Sequence, residues 1–229
     1  MNSVFTSWSG GKDSCLACYR AVAGGLNVRY LANMITEDGK RSRTHGVSAN
    51  IIRVQSQAVG IPLVQRRTTW ATFEAEFKDM LRAFKQEGIS GGVFGDIDLN
   101  EHREWIERVC QEVDITPHLP LWGESQAEIL RDFIDSGFEA IVVATKADRL
   151  GEEWLGRRID PAFIRHLGEI RETEDITLCG EAGEYHTLVI DGPLFRKRIE
   201  IVAARKVLRD EHWFLEILDT DLRPKTRRD

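Results

Sequence analysis

The first half of the chain alternates between short apolar runs and longer stretches whose apolar residues recur at helical spacing. Short apolar runs are typical of buried strands, and the helical spacing is typical of amphipathic helices. The predicted strands are residues 4–8, 28–35, 61–64 and 91–95, and the predicted helices are residues 15–23, 48–59, 73–88 and 105–110. Strands that alternate with helices predict an α/β fold with a parallel sheet and right-handed crossovers.

The second half of the chain has a different order of elements. Ser125 and Glu128 form a capping box, which predicts the start of a helix. Asp160 and Pro161 predict a second helix start, with the aspartate as N-cap and the proline in the first turn. Apolar runs predict strands at residues 138–145, 188–190, 199–203 and 213–218.

Length and composition fit this division. The chain has 229 residues, of which 42% are hydrophobic and 30% are charged, as in an ordinary globular protein. Such a length allows one large domain or two small ones. Because the pattern changes near residue 120, we predict an α/β domain over residues 1–120 and a smaller α+β domain over residues 121–229.

The charge balance is acidic, with a net charge of −6 from 31 basic and 37 acidic residues. Because extensive nucleic-acid surfaces are usually strongly basic, the balance argues against nucleic acid as a partner. We interpret local basic clusters as solvated surface, and residues 223–229 as a frayed tail. No apolar run approaches the ~18 residues of a membrane span. A signal-peptide pattern is also lacking, so we expect a cytoplasmic protein without membrane contact.

Four cysteines are too few for a disulfide scaffold in a chain of this length. Cys15 and Cys18 form a C-x-x-C pair, but Cys110 and Cys179 are isolated and do not supply the second pair of a zinc site. We interpret all four as small buried residues. A thiol role for Cys15 or Cys18 is the alternative.

A polar, glycine-containing loop, Ser-Gly-Gly-Lys-Asp-Ser over residues 9–14, separates the first predicted strand from the first predicted helix. Glycines let backbone N–H groups approach an anion, and a helix start offers its positive end. Lys12, expected to be exposed, adds a charge, so the loop is typical of a phosphate site. It lacks the usual P-loop pattern, since Thr6 and Asp13 stand where that pattern needs glycine and Ser or Thr.

The turn Gly95-Asp96 follows the fourth predicted strand. In an open parallel sheet, ligands bind at the carboxyl ends of the strands. The loop over residues 9–14 follows the first strand, so we expect the loop and the turn to lie at the same rim.

The loop, after an N-terminal strand and before a helix, resembles the PP-loop of the ATP pyrophosphatase superfamily. The resemblance implies a Rossmann-like sheet of the adenine nucleotide alpha hydrolase type, and cleavage of ATP between its α and β phosphates. It makes Lys12 and Asp13 catalytic candidates, with Asp13 as a partner of Mg²⁺, and places adenine near the end of the second strand. The residues expected to bind ATP are Ser9, Gly10, Gly11, Lys12, Asp13, Ser14, Met34, His45, Gly95 and Asp96.

Further motifs extend the resemblance over nearly the whole chain. They are Thr44-His45-Gly46, Gly95-Asp96-Ile97, residues 120–123, 153–157 and 180–189, and Asp191-Gly192-Pro193. This series resembles the diphthine–ammonia ligase family. The resemblance implies that ATP and ammonium convert diphthine, a modified histidine on translation elongation factor 2, into diphthamide. The implied chemistry is adenylation of the diphthine carboxylate, followed by attack of ammonia.

The motif over residues 180–189 carries two acids and a histidine that we interpret as catalytic candidates: Glu181, Glu184 and His186. Paired carboxylates can bind a cation, recruit ammonium or act as a general base. A histidine can take the base role near neutral pH. The alternative is an ordinary glycine turn with solvated acids. Trp70 and Trp122 are interpreted as core or hinge residues, with cation–π contact to a ligand as the alternative.

Two departures from the ligase pattern are present. Residues 98–103 replace a usual Tyr-Gln pair, and His186 replaces a usual second acid. Both resemble a related branch, common in bacteria, which leaves an unknown carboxylate as an alternative acceptor. A PP-loop tRNA-modifying sulfur transferase, favoured only by Cys15 and Cys18, and a nucleotide-binding protein without this ligation are further alternatives. The pattern is compatible with a homodimer and leaves the oligomeric state open.

Overall fold

The structure is a computed structural model that describes residues 2–172 and 174–225. The N-terminal part forms β1 (Ser3–Ser7), α1 (Lys12–Ala23), β2 (Asn27–Thr36), α2 (Ala49–Val59), β3 (Leu63–Thr68), α3 (Phe73–Gln86), β4 (Gly91–Val93), α4 (Asn100–Val113) and β5 (Thr116–His118). The C-terminal part forms α5 (Gln126–Asp135), β6 (Glu139–Lys146), a 3-10 turn (Glu152–Trp154), α6 (Pro161–Arg171), β7 (Tyr185–Asp191), β8 (Lys197–Arg209) and β9 (His212–Pro224).

The first five strands form one parallel sheet in the order β3-β2-β1-β4-β5. This order confirms the predicted α/β fold with a Rossmann-like parallel sheet. The strand order reverses between β1 and β4, and such a switch point opens a crevice at the carboxyl ends of the strands. The loop after β1 and the turn after β4 therefore flank the same crevice.

The last four strands form an antiparallel sheet in the order β7-β6-β9-β8. Strands β8 and β9 are each 13 residues long, much longer than predicted, and pair along their whole length. Arg223 and Pro224 end β9, so the expectation of a frayed tail is wrong for these two residues. Residues 226–229 lie outside the described part of the chain.

One hydrophobic core joins the two sheets. It contains residues of α1 and α2, such as Leu16 and Ile52, together with residues of the second sheet, such as Val142 and Leu188. Helices α3 and α4 cover the opposite face of the parallel sheet in a separate core. The second sheet thus packs on the α1 and α2 side. The division into domains at residue 120 stays a prediction.

Three helices begin at a capping side chain, and two of these caps, Ser125 and Asp160, were predicted. Ser48, Ser125 and Asp160 are N-caps whose side chains accept a hydrogen bond from the backbone of the first turn. Helix α1 begins three residues earlier than predicted, at Lys12, with Gly11 as N-cap. This places Lys12 and Asp13 in the first turn of the helix. In the described ranges, no helix is both long and apolar enough to span a membrane.

Candidate active site

Gln55 of α2 holds the glycine loop after β1 in place by hydrogen bonds. The Gln55 side chain is completely buried. Its amide nitrogen donates to the carbonyl oxygens of Gly10 at 2.9 Å and Val189 at 2.7 Å. Its amide oxygen accepts a hydrogen bond from the Trp8 indole at 3.1 Å. Gly10 has a φ of 83°, a backbone conformation that favours glycine. The loop conformation is thus fixed by β7 and α2 as well as by its own sequence.

Lys12 is 3% exposed, so the expectation of an exposed lysine is wrong. Its ammonium donates to Asp13 Oδ2 at 2.9 Å and to the carbonyl oxygen of Cys179. It also lies 5.1 Å from the centre of the Tyr185 ring. Burial alone lowers the pKa of Lys12, but Asp13, Tyr185 and Cys179 together outweigh it and the net shift is upward. The lysine therefore stays charged, and the C-terminal sheet and its preceding loop position it.

Asp13 has one oxygen engaged and one free. Oδ2 pairs with Lys12, whereas Oδ1 is buried and has no hydrogen-bond partner within residues 2–172 and 174–225. Burial raises the pKa of Asp13, and the Lys12 ammonium opposes that rise. A buried, unpartnered carboxylate oxygen is costly unless a cation or donor binds there. Oδ1 is accordingly available to a metal ion or its bound water.

Glu181 lines the cavity in front of Lys12 and Asp13. Its backbone N–H donates to Thr177 Oγ1 at 2.8 Å, which fixes the loop. Burial raises the pKa of Glu181 to about 7, and the negative charges of Asp13, Asp96 and Asp98 add to the rise. A carboxyl group with such a pKa can accept and return a proton near neutral pH.

Glu184 is directed elsewhere. It is 3% exposed, and its carboxylate accepts hydrogen bonds from the Thr177 backbone N–H and, at 3.1 Å, from the Thr177 hydroxyl. It closes the loop that presents Glu181 and does not line the cavity. The spacing of three residues between the two glutamates therefore separates a cavity-lining acid from a loop-closing one.

His45 and His186 stack in the wall of the cavity, with ring centres 4.4 Å apart. Burial lowers the pKa of both, to about 4 for His186, and the Lys12 charge lowers them further. Both rings are therefore neutral at pH 7. His45 Nδ1 is buried without a hydrogen-bond partner in the described part of the chain, so it is available to a ligand.

Two adjoining cavities make up the site. The catalytic cavity, of about 260 Å³, lies between the glycine loop and the loop before β7. The aromatic cavity, of about 480 Å³, lies over the ends of β1 and β2 and is lined by Met34, Phe94, Trp105 and other apolar residues. Ser7, Ser9, Thr44, Asp96 and His102 line both cavities. A ligand with a charged end and an aromatic end can therefore occupy the two together.

The structure brings most of the predicted residues to this site. Those lining the catalytic cavity are Ser9, Lys12, Asp13, Ser14, His45, Gly95, Asp96, Glu181 and His186. Met34 lines the aromatic cavity, and Gly10 and Gly11 form the loop backbone behind.

Sequence reasoning missed several lining residues, including Thr44, His102, Tyr185 and Thr187. His102 Nδ1 lies 3.1 Å from Asp96 Oδ1, and this contact raises the pKa of His102. Tyr185 and Thr187 belong to the late motif, and that motif was the only available signal for them. In the described part of the chain, no three Asp, Glu, His or Cys side chains are arranged to bind a metal by themselves.

Gly95 lies where β4 meets the start of α1. A Cβ at Gly95 would lie 2.8 Å from the carbonyl carbon of Asp13 and 2.8 Å from the Ser14 nitrogen. Gly95→Ala should therefore push α1 away from the sheet, destabilise the protein by about 1–3 kcal/mol and sharply reduce turnover. Denaturant unfolding and steady-state kinetics measure both effects.

The matched control is Gly168→Ala in α6, where a Cβ would meet nothing within 4 Å. This change should leave turnover unaltered and add roughly 0.5–1 kcal/mol of stability, because alanine is the better helix former. Equal behaviour of the two variants would contradict the close approach at Gly95.

A parallel sheet with a lysine–aspartate loop at its switch point, facing an acidic loop from a second sheet, defines a PP-loop enzyme that acts on a nucleotide. Two family profiles match the chain: the diphthamide synthase N-terminal domain over residues 2–117 and its C-terminal domain over residues 125–221. The chain belongs to the diphthine–ammonia ligase family, whose members are ATP-dependent ligases.

Individual relatives agree with this assignment. The diphthine–ammonia ligase of Danio rerio is 30% identical over 91% of this chain and 90% of that protein. The Rattus norvegicus ligase is 28% identical over 91% of this chain and 86% of that protein.

A solved structure from Methanocaldococcus jannaschii, described as a predicted subunit of tRNA methyltransferase, superposes with a TM-score of 0.45 and 16% identity. That superposition covers 84% of this chain and 98% of the other.

The cysteines occupy buried positions, as predicted. Cys15 and Cys18 are completely buried in the core beneath α1, and burial raises the pKa of both thiols. Cys179 lines the catalytic cavity, where burial raises its pKa to about 12 and keeps it protonated. A reactive thiol needs the opposite environment, which disfavours the sulfur-transfer alternative.

Proposed function

We propose that this chain uses ATP to couple ammonia to the carboxylate of diphthine on translation elongation factor 2. The observation that carries the proposal is the meeting of the Lys12–Asp13 loop with Glu181 across one cavity. The loop can bind the leaving pyrophosphate, and the Glu181 carboxylate can attract the incoming ammonium. The family assignment supports the same reaction.

ATP fits the joined cavities with its phosphates toward α1 and its adenosine in the aromatic cavity. Backbone N–H groups at the start of α1 and the Lys12 ammonium face the phosphates, and such groups stabilise charge that develops on a leaving pyrophosphate. The aromatic cavity supplies Phe73, Phe77 and Trp105 as apolar walls for a base. The adenine position near Met34 predicted from the sequence belongs to this proposal.

Mg²⁺ is part of the proposal, because a single carboxylate together with substrate phosphates is a common set of ligands for this ion. Asp13 fits that role through its unpartnered Oδ1, and the ion would neutralise phosphate charge. Asp96 lies in the same wall and adds negative charge.

The proposed reaction has two steps. The acceptor carboxylate attacks the α-phosphorus of ATP, pyrophosphate leaves, and an acyl-adenylate remains. Ammonia then attacks the acyl carbon, an amide forms and AMP leaves. Glu181, surrounded by Asp13, Asp96 and Asp98, attracts ammonium and accepts the proton that the nitrogen loses. The neutral His45 and His186 rings offer hydrogen bonds without repelling ammonium.

Diphthine is the first candidate acceptor. A different carboxylate is the second, because a residue of each sequence departure lines the catalytic cavity: His102 of residues 98–103, and His186. Residues that face an acceptor are where a change of acceptor would appear. The cytoplasm, where translation factors act, is the proposed location, and the homodimer stays a prediction.

The deciding experiment incubates the protein with diphthine-bearing elongation factor 2, ATP and isotope-labelled ammonium. We expect labelled amide on the diphthine residue, and none without ATP or with the Lys12→Met variant. Mass spectrometry of the modified peptide detects the label. Ammonium-dependent ATP cleavage with another carboxylate, but not with diphthine, would reject diphthine and keep the amide ligase.

Trp70 lines the aromatic cavity and is 66% exposed, so its interpretation as a core residue is wrong. The Arg43 guanidinium lies 4.4 Å from the centre of its ring. We expect Trp70 to stack on the adenosine, and a stacked base is worth about 1–3 kcal/mol. Trp70→Ala should therefore raise the Kd for ATP about 5- to 100-fold, as measured by calorimetry.

Trp122→Ala is the matched control. Trp122 also lies beneath an arginine, with Arg103 at 5.1 Å from its ring centre, but it lines neither cavity. Its replacement should leave the Kd for ATP unchanged. A Trp70 variant with wild-type affinity would remove this residue from the binding site.

A further inference from the structure

A third cavity, of about 400 Å³, lies behind the loop over residues 44–48, between that loop and strands β8 and β9. We call it the basic cavity, because Lys40, Arg41, Arg205 and Arg209 line it and, among the described residues, Glu216 is the one acid that lines it. Its volume is within the usual range for a small-molecule site. Neither the family assignment nor the proposed reaction uses it.

Three arginines converge on one carboxylate in this cavity. The Glu216 carboxylate lies 3.3 Å from the Arg41 guanidinium, 2.6 Å from that of Arg205 and 3.4 Å from that of Arg209. Three positive charges held around one negative charge repel each other. Lys40, also in the wall, has its own acid, Asp38, at 3.9 Å. The cluster is therefore short of negative charge.

The shortage of negative charge leaves one nitrogen of Arg209 without an acceptor. Its Nη2 is buried and has no hydrogen-bond partner in the part of the chain that the structure describes. The guanidinium also packs 4.9 Å from the centre of the Phe214 ring, which limits its movement toward solvent. A buried donor on a charged group is costly to leave unpaired, so this atom points to an absent acceptor.

The walls of the basic cavity also contain apolar side chains and a helix end. Ile51, Val143, Leu215 and Ile217 supply apolar surface in the same cavity. Ser48, the N-cap of α2, lies in the same wall, so the positive end of that helix adds to the local potential. Arginine forks match phosphate groups with two parallel hydrogen bonds.

The basic cavity is separate from the catalytic cavity. His45 faces the catalytic cavity, whereas the next residue, Gly46, packs on Phe214, where a Cβ would lie 2.7 Å from the ring. Phe214 lines the basic cavity only.

We propose that the basic cavity binds a small organic anion that carries phosphate groups. Arg41, Arg205 and Arg209 bind the phosphates, and the apolar wall contacts the body of the molecule. The inference is independent of the reaction proposed above, since none of these residues lines the catalytic cavity.

Inorganic tripolyphosphate is a suitable probe, titrated calorimetrically at low salt while a non-hydrolysable ATP analogue saturates the catalytic cavity. The wild-type protein should bind one equivalent. Arg205→Gln/Arg209→Gln should weaken binding about tenfold or more, because two charge-assisted contacts are lost. Arg165→Gln/Arg171→Gln removes the same number of charges from two exposed positions of α6 and should weaken binding at most about twofold.

Glu216→Gln tests the same site by a gain of affinity. This isosteric change frees the three guanidinium groups, so the variant should bind tripolyphosphate about three- to tenfold more tightly. Absence of wild-type binding, or equal affinity in the Arg205/Arg209 and Arg165/Arg171 variants, would overturn the proposal. Tighter binding of a glutamate-rich peptide than of tripolyphosphate, through the same arginines, would also overturn it, because the ligand would then be an acidic protein segment.

Discussion

Replacing Lys12 with methionine should lower the rate of ATP cleavage by about 10²–10³-fold or more, with the fold retained. The lysine ammonium is the fixed positive charge nearest the glycine loop, and losing one such preorganised group typically costs that much in rate. Methionine keeps most of the buried volume, which avoids a cavity beside Tyr185. Steady-state release of pyrophosphate measures the effect.

Stability gives a second readout for this variant. Without Lys12, burial still raises the pKa of Asp13 but no ammonium opposes it, so ionised Asp13 becomes costly. A carboxyl whose folded pKa lies above its unfolded value loses stability as pH rises between the two. Lys12→Met should therefore be more destabilised at pH 8 than at pH 5, as measured by denaturant unfolding. A variant with wild-type turnover would refute the role given to the loop.

Replacing Glu181 with glutamine should reduce kcat/KM by about 10²–10⁴-fold, the range typical of a lost general base. Wild-type activity should rise with pH through about 7, where the raised pKa of Glu181 places its ionisation. The variant should lose that rise. A pH profile of ammonium-dependent turnover measures both effects.

The folding stability of the wild-type protein should fall with pH over the range in which its activity rises. The folded pKa of Glu181 is raised, so the wild-type protein loses stability as pH rises from the unfolded value toward about 7. Glu181→Gln should be at least as stable as the wild type at pH 8. A more active but less stable variant would contradict both assignments.

Glu184→Gln is the matched control, since the two acids are three residues apart. The Glu184 carboxylate accepts two hydrogen bonds from Thr177, so its replacement should destabilise the loop. The rise of activity through pH 7 should remain. If Glu184→Gln abolished the rise of activity through pH 7 and Glu181→Gln kept it, Glu184 would be the general base and Glu181 the loop-closing acid.

The parallel sheet and the glycine loop could be predicted from the sequence because their signals are local. Apolar runs, helical spacing and N-cap residues such as Ser48 and Asp160 each act over a few residues. The long β8–β9 hairpin was underestimated because its outer positions are charged. Its turn also places Asp210 and Glu211 at positive φ, where Asn-Gly would be the usual signal.

The missed features of the site depend on distant contacts. Lys12 is buried because Cys179 and Tyr185, more than 160 positions away in the chain, cover it. Gln55 supports Gly10 from a helix that carries no motif. The two glutamates of the late motif are equivalent in sequence. The hydrogen bond from Thr177 to Glu184 leaves Glu181 as the glutamate that faces the cavity.

The products of ATP test the central claim most directly. With ammonium and diphthine-bearing elongation factor 2, the protein should release AMP and pyrophosphate in equal amounts over many turnovers. When ammonium is omitted, release should stop at about one pyrophosphate per active site, because the acyl-adenylate is not consumed. Chromatographic separation of the nucleotides after a fixed interval decides the outcome. Release of ADP and inorganic phosphate would contradict the site and the reaction assigned to it.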